Sequence, residues 1–101
     1  MIIAVGIELP EAEIIEICRR HSVSGLSLFG SAARGEMRPD SDIDFLVDFL
    51  PGTRPGLLGV SAMTRELSLL LGRCVDLAIK RALKPLIRPG VLAEARLIYA
   101  A

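Results

Sequence analysis

Three aspartates and a Gly-Ser pair are the residues of this 101-residue chain whose types and spacing favour chemistry. Asp42 and Asp44 are separated by a single residue, and side chains two apart on a β-strand point to the same face. Two carboxylates aimed at one point pack poorly, but they supply the hard oxygen ligands that Mg²⁺ prefers. The pair therefore predicts a metal site on a strand.

Asp76 is the third aspartate, and it stands alone in the otherwise apolar run 74–79. A carboxylate left unpaired inside an apolar strand would cost about several kcal/mol by desolvation, so we expect a metal and a nearby hydroxyl to offset that cost. If this strand lies beside the strand of Asp42 and Asp44, the three carboxylates could hold two Mg²⁺ ions. Ions about 3.5–4 Å apart can stabilise the attacking and leaving oxygens of an in-line displacement.

Gly30 and Ser31 end a β-rich run and begin a short Ala-rich turn. Glycine lets the backbone approach a ligand closely, and helix-start amides with a serine hydroxyl favour phosphate. Taken alone, a Gly-Ser pair is usually a turn and an Asp-x-Asp pair is usually a solvated strand end. Their combination with a third aspartate favours the functional interpretation. Asp40 and Asp48 are instead expected to be a turn residue and an exposed strand residue.

Hydrophobic periodicity and turn residues predict one α/β (α+β) domain over residues 1–101, with a small mixed sheet flanked by helices. The predicted elements are a helix over 10–20, a strand over 23–29, a helical turn over 32–34, a strand over 43–49, a helix over 57–71 with Gly72 as its C-cap, a strand over 74–79, and one or two short helices over 82–99.

The run from Gly30 to Gly35, followed by the run from Ser41 to Val47, resembles the signature of the polymerase-β-like nucleotidyltransferases. Val75-Asp76-Leu77 is similar to the strand that carries the third aspartate of that family, and the Ile98-Tyr99-Ala100 ending also matches. The chain length resembles the minimal nucleotidyltransferase (MNT) branch, small proteins that pair with HEPN-domain partners in toxin–antitoxin modules. The resemblance covers almost the whole chain and implies the polymerase-β-like nucleotidyltransferase fold.

The resemblance also implies a role for each aspartate. Asp42 and Asp44 would bind the metal on the triphosphate and take part in catalysis. Asp76 would bind the metal that activates the acceptor hydroxyl. Two Mg²⁺ ions would be the cofactors, with ATP as the substrate.

The same resemblance gives Gly30 and Ser31 the β- and γ-phosphates of the nucleotide. Arg34 matches the signature too, and its role is either to pin the helical turn or to reach a phosphate. The implied activity moves a nucleoside monophosphate, AMP from ATP, onto a hydroxyl. The implied acceptor is a tyrosine of a HEPN toxin, which modification would silence.

Two rival functions stay open at this point. The domain could be a non-catalytic antitoxin that blocks its partner sterically, or a nucleotide-sensing subunit that binds ATP without transferring it. The presence of Asp42, Asp44 and Asp76 favours the enzyme, because loss of any one of them would be the mark of either rival.

Composition excludes some classes of partner. Twelve basic residues balance twelve acidic residues, which argues against general nucleic-acid binding and favours association with another protein or with a second copy. We find neither a signal-peptide pattern nor an apolar run of membrane-spanning length, so a cytoplasmic location is expected.

The remaining reactive and charged residues receive structural expectations. Cys18 and Cys74 are expected to be small buried hydrophobes, with a disulfide as the weaker alternative, and His21 is expected to favour the end of the first helix. The basic residues between Lys80 and Arg88 are expected to form a solvated face rather than a phosphate or partner contact. Arg54 fits a mobile surface and a nucleotide contact equally well, and Tyr99 is expected to pack.

Overall fold

The computed structural model describes residues 2–4, 7–38 and 40–101. In chain order the elements are β1 (Ile2–Ala4), β2 (Ile7–Glu8), α1 (Glu11–Arg20), β3 (Val23–Phe29), α2 (Ser31–Arg34), β4 (Ile43–Phe49), α3 (Gly56–Leu71), β5 (Val75–Ile79), a 3-10 turn (Lys80–Ala82), α4 (Arg88–Glu94) and β6 (Arg96–Ala100). In the described part of the chain, every helix is too short or too polar to cross a membrane.

A four-stranded mixed sheet organises the domain, with its strands in the order β5-β4-β3-β6. β3 runs antiparallel to both β4 and β6, whereas β4 runs parallel to β5. The short strands β1 and β2 pair with each other in a separate antiparallel ribbon. The predicted fold class, a small mixed sheet with flanking helices, is confirmed.

The hydrophobic core lies between one face of this sheet and the helices α1 and α3. Alternate residues of β4 enter the core, because successive strand side chains point to opposite faces. The side chains of Phe45, Val47 and Phe49 are buried there. The same alternation sends Asp44 to the opposite side of the sheet, which we call the open face.

The predicted helices and strands before residue 80 are confirmed with small shifts of their ends. α1 begins at Glu11, with Pro10 as its N-cap. α3 ends at Leu71, where Gly72 adopts a left-handed conformation and closes the helix as expected. α3 contributes the buried side chains of Met63 and Leu67 to the core.

The prediction for residues 82–99 is wrong over its last part. Only α4 is helical there, and the chain continues as β6 along the outer side of β3. Pairing along that side supplies hydrogen-bond partners for the backbone of β3, and it places Ile98 and Tyr99 against the core. These tertiary contacts override the local helical pattern. The short strands β1 and β2 were also not predicted from the sequence.

The two cysteines differ in their surroundings. Cys18 is fully buried, and this burial raises the pKa of its thiol to about 11. Cys74 is exposed in the turn before β5, so its predicted burial is wrong. Both thiols are free, and no disulfide joins them.

A charged cluster joins the end of α1 to α3. His21 is the C-cap residue of α1, as expected, and it contacts the carboxylate of Glu66, which also accepts a hydrogen bond from Arg20. Hydrogen bonds from Arg20 and His21 lower the pKa of Glu66 below its ordinary value of 4.5. The negative form of Glu66 is therefore favoured in the folded state.

This cluster should make the free energy of unfolding depend on pH. Because the folded-state pKa of Glu66 is the lower one, its contribution is present above the unfolded pKa and is lost as pH falls through the folded value. We expect Glu66→Gln to lower the free energy of unfolding by about 0.5–1 kcal/mol at pH 7, and by less at pH 3. Urea melts at the two pH values measure this. Equal losses at both would contradict the assignment.

Candidate active site

The aspartates emerge at one edge of the sheet. Asp42 directly precedes β4, and the amide of Ile43 donates to the carbonyl of Cys74 (3.0 Å), which ties this point to the start of β5. Asp44 stands in register with Asp76 on the parallel neighbour β5. Adjacent strands lie about 4.8 Å apart, so the side chains of Asp44 and Asp76 leave neighbouring backbones on the open face.

Electrostatics indicates that the three carboxylates act on one another. The pKa of Asp44 is raised, first by its partial burial and then by the negative charges of Asp76 and Asp42. The positive charge of Arg34 partly opposes this effect. Asp44 is thus repelled by two neighbouring carboxylates, and a bound cation would reduce this electrostatic repulsion.

Asp76 does not have the surroundings expected of it. It is exposed, and it lies on β5, an outer strand of the sheet. The expected desolvation cost therefore does not arise, and no polar side chain in the described residues is fully buried. What marks Asp76 as a candidate is its register with Asp44.

Two arginines position this edge, and only one of them was singled out from the sequence. Arg73 donates to the carbonyls of Ser41 (2.9 Å) and Arg38 (3.2 Å), which holds the loop that carries Asp42. An arginine just before a strand carries no recognisable sequence signal for this role. Only the folded loop reveals it.

Arg34 lies at the end of α2 and bridges to α4. Its guanidinium pairs with Glu36 (3.1 Å) and with Glu94 (3.2 Å). These glutamates raise its already high pKa, so it remains a cation. Of the two roles considered from the sequence, this geometry corresponds to pinning the helical turn.

Gly30 allows the end of β3 to meet the carboxylate of Asp44. Its backbone has φ +67° and ψ −146°, a region that residues with a side chain avoid. A Cβ at this position would lie 2.6 Å from Oδ2 of Asp44. Ser31 follows as the first residue of α2, half-buried beside this contact.

Replacement of Gly30 should therefore damage both the fold and the site. We expect Gly30→Ala to cost about 1–3 kcal/mol of stability, because the backbone is strained and Asp44 must move. The matched control is Gly35→Ala, which also has a positive φ (+71°) but has nothing within 4 Å of the added Cβ. Chemical denaturation compares the two. A Gly30 variant no less stable than the Gly35 variant would contradict the contact.

The donor set at this edge fits Mg²⁺. In the described ranges, no three Asp, Glu, His or Cys side chains are gathered into a ready-made metal cluster. Mg²⁺, however, is usually held by one or two carboxylates together with waters and substrate phosphates, rather than by an all-protein cage. Asp42, Asp44 and Asp76 supply carboxylates of this kind. Partial burial and the charges of Asp76 and Asp42 raise the pKa of Asp44, so a cation bound there would stabilise its ionised form.

A cavity of about 320 Å³ lies on the open face, and none of the three aspartates lines it; we call it the open-face cavity. Its lining residues come from β3, β4, α4, β6 and the turn after β5. They are Ser24, Gly25, Ser27, Leu46, Asp48, Lys80, Leu92, Ala95 and Leu97. Sequence patterns gave no sign of it, because its walls are distant in the chain.

The predictions for the other charged residues are only partly confirmed. Asp40 lies in a turn, as expected, but Asp48 is only 28% exposed, so its assignment as an exposed strand residue is wrong. Arg81 folds back over it, with Nε 3.1 Å from Oδ1 in an ion pair that lacks hydrogen-bond geometry. Arg88 donates to the carbonyl of Lys80 (2.7 Å), and Arg54 is exposed in its loop. The basic segment is thus partly structural rather than wholly solvated.

Comparison with known proteins places this geometry in a family. The model of the nucleotidyltransferase domain matches residues 11–98. The protein adenylyltransferase MntA of Thermococcus cleftensis is 43% identical over 78% of this chain and 78% of its own length. A candidate protein adenylyltransferase of Methanocaldococcus jannaschii is 40% identical over 82% of this chain and 87% of its own.

Solved structures agree with the sequence relatives. A candidate minimal nucleotidyltransferase superposes with a TM-score of 0.73 at 41% identity, covering 84% of this chain and 85% of the other. A toxin–antitoxin complex with AMP-PNP gives a TM-score of 0.77 at 23% identity, over 92% and 75% of the two chains. A tri-AMPylated Shewanella oneidensis HEPN toxin bound to its MNT antitoxin gives 0.66 at 20%, over 90% and 70%. The last two support the fold alone.

The glycine-serine turn beside Asp44, the aspartates at the shared edge of β4 and β5, and the match over residues 11–98 lead to one assignment. The chain belongs to the nucleotidyltransferase domain family and is a nucleotidyltransferase of the minimal kind.

Proposed function

We propose that this protein transfers AMP from ATP to a tyrosine hydroxyl of a HEPN toxin, with Mg²⁺ as cofactor, and so acts as its antitoxin. One observation carries the proposal: Asp44 pairs in register with Asp76 on β5, and its carboxylate lies against the backbone of Gly30. Relatives named as protein adenylyltransferases support the transfer to protein. The nucleotide and the partner are proposed by analogy with two proteins that share this fold, one solved with AMP-PNP and one bound to an AMPylated HEPN toxin.

Each residue of the site has a part in this reaction. Gly30 and Ser31 hold the β- and γ-phosphates through backbone amides and the serine hydroxyl. Asp42 and Asp44 would hold Mg²⁺ for the triphosphate, and Asp76 would hold it for the acceptor. The chemistry that Mg²⁺ would supply at these carboxylates is neutralisation of negative charge on the phosphate oxygens. Arg34 adds positive charge near Asp44 while it fixes α2.

The transfer itself is a single displacement. The tyrosine oxygen forms a bond to the α-phosphorus, and the bond from that phosphorus to the bridging oxygen breaks. Pyrophosphate departs with the electron pair of the broken bond. The hydroxyl proton passes to solvent, which reaches Asp76 because that side chain is exposed. The requirement for ATP leads us to propose a cytoplasmic location.

Incubation with ATP labelled at the α-phosphate tests the proposal. The reaction contains Mg²⁺ and a HEPN-domain protein as the proposed partner, and label is followed on that protein by gel and by intact mass. We expect label on the partner, with none when EDTA is present. Binding of the partner without label would instead identify a steric antitoxin, and ATP binding without any transfer would identify a nucleotide sensor.

A further inference from the structure

Two segments of the chain meet at the end of the sheet away from the aspartates. They are residues 50–58, from the end of β4 to the first turn of α3, and residues 80–88, from the end of β5 to the start of α4, and both contribute to the lining of a cavity of about 180 Å³. Leu57 and Leu58 are 83% and 86% exposed in the first segment, and Leu86 is exposed in the second. We call the two segments together the leucine end. Neighbouring large apolar side chains left in solvent are typical of a binding surface.

The leucine end carries positive charge. Residues 49–65 and 77–93 contain no Asp or Glu. The basic residues of the leucine end are Arg54, Lys80, Arg81, Lys84 and Arg88. Asp48 offsets the charge of Arg81 through their ion pair, and the remaining charges keep this surface basic. A surface that binds the leucine end therefore needs apolar side chains with negative charge around them.

The chain itself has a surface of this kind beside α1. Residues 1–18 contain no Lys or Arg, whereas four glutamates occur between Glu8 and Glu16. A cavity of about 370 Å³ lies between α1 and the last turn of α3, and we call it the acidic groove. Its lining residues are Ala12, Glu13, Glu16, Ile17, Arg20 and Leu70. Arg20 is paired with Glu66, so the border of the groove keeps an excess of negative charge around an apolar floor.

The leucine end and the acidic groove lie at opposite ends of α3. Leu57 is in the first turn of this helix and Leu70 is in its last turn, so about 20 Å separates them along the helix axis. The exposed leucines therefore cannot reach the groove of their own molecule. In a second copy they meet a concave apolar surface whose border has the opposite charge. The formal net charge of zero means that two copies do not repel each other as a whole.

We propose that the leucine end of one molecule binds the acidic groove of a second copy, so that the chain associates head to tail. Leu57 and Leu58 enter the groove, and the basic residues around them face its glutamates. A contact between two different surfaces leaves one of each unused in a dimer, so association continues to larger species unless a ring closes. Asp44 lies about 17 Å along β4 from Phe49, where the leucine end begins, so the contact leaves the aspartates accessible.

Two double variants, each altering one surface at exposed positions, test the contact by sedimentation velocity over a range of protein concentrations. Leu57→Ser with Leu58→Ser changes the leucine end, and Glu13→Lys with Glu16→Lys changes the acidic groove. We expect the wild type to form larger species as its concentration rises, less so at high salt, and the dissociation constant of each variant to rise tenfold or more. The matched control is Leu69→Ser, which removes a 77% exposed leucine of α3 that lines neither cavity and should associate as wild type does.

An equal mixture of the two double variants gives the sharpest result. One variant keeps its groove and the other keeps its leucine end, so the mixture should form a one-to-one dimer that does not grow further. A mixture that stays monomeric would overturn the head-to-tail contact. So would a wild type that is monomeric at millimolar concentration, including one whose leucine end binds a HEPN-domain protein or phosphatidylserine vesicles instead. These measurements contain no ATP, so they stand whether or not AMP transfer is found.

Discussion

Asp76→Asn is expected to reduce AMP transfer by roughly 10²–10³ while it leaves ATP binding nearly unchanged. Asp42 and Asp44 remain to hold Mg²⁺ on the triphosphate, so the nucleotide still binds. The acceptor side loses its carboxylate, and with it the charge that holds a cation beside the attacking hydroxyl. Because Asp76 is exposed, the substitution should not disturb the fold.

Single-turnover transfer to the partner and ATP titration, measured on the same samples, separate the two effects. Asp40→Asn is the charge-matched control, since Asp40 is an exposed turn residue near the site. We expect that control to transfer AMP at the wild-type rate. Parallel losses of ATP binding and transfer in Asp76→Asn would show that Asp76 belongs to the nucleotide side instead.

The double variant Asp42→Asn with Asp44→Asn should abolish the response of the melting temperature to Mg²⁺-ATP. A ligand that binds only the folded state stabilises it by about 2.7 kcal/mol at one hundred times its Kd. In a domain of this size that corresponds to a shift of roughly 10 °C or more for the wild type. Without both carboxylates the nucleotide loses its metal, and the shift should disappear.

The unliganded double variant should also melt higher than the unliganded wild type. Partial burial and the charges of Asp76 and Asp42 raise the pKa of Asp44, so its ionised form is disfavoured in the folded state at neutral pH. A neutral amide removes that penalty. Differential scanning fluorimetry with Mg²⁺ and ATP added separately and together measures both effects. A wild type that does not respond to millimolar Mg²⁺-ATP would contradict the nucleotide site.

The parts of the site that depend on local pattern could be predicted from the sequence. The alternation of Asp and apolar residues over β4 fixed its length and its two faces, because strand periodicity is imposed by the backbone itself. Gly30 and Gly35 marked the two ends of α2 because their positive φ values suit glycine. The lone Asp76 in an apolar run indicated β5, the strand that pairs with the strand of Asp44.

The parts of the fold and of the site that depend on tertiary contacts could not be predicted from the sequence. β6 is a strand because β3 offers it a hydrogen-bonding side, and no local signal in residues 96–100 reports that neighbour. The partial burial of Asp48 and the exposure of Asp76 and Cys74 likewise depend on tertiary surroundings that the local sequence does not report. The Arg34–Glu94 pair joins residues 60 positions apart, so spacing could not reveal it.

Rescue of cells from the HEPN partner by the Asp76→Asn protein tests the central claim most directly. The wild type, Asp76→Asn and Asp40→Asn proteins are produced at equal levels with the toxin, and modification of the toxin is followed by intact mass. If transfer of AMP is the function, wild type and Asp40→Asn restore growth and the toxin carries AMP, whereas Asp76→Asn does neither. Full rescue by Asp76→Asn, with an unmodified toxin, would contradict the enzymatic account.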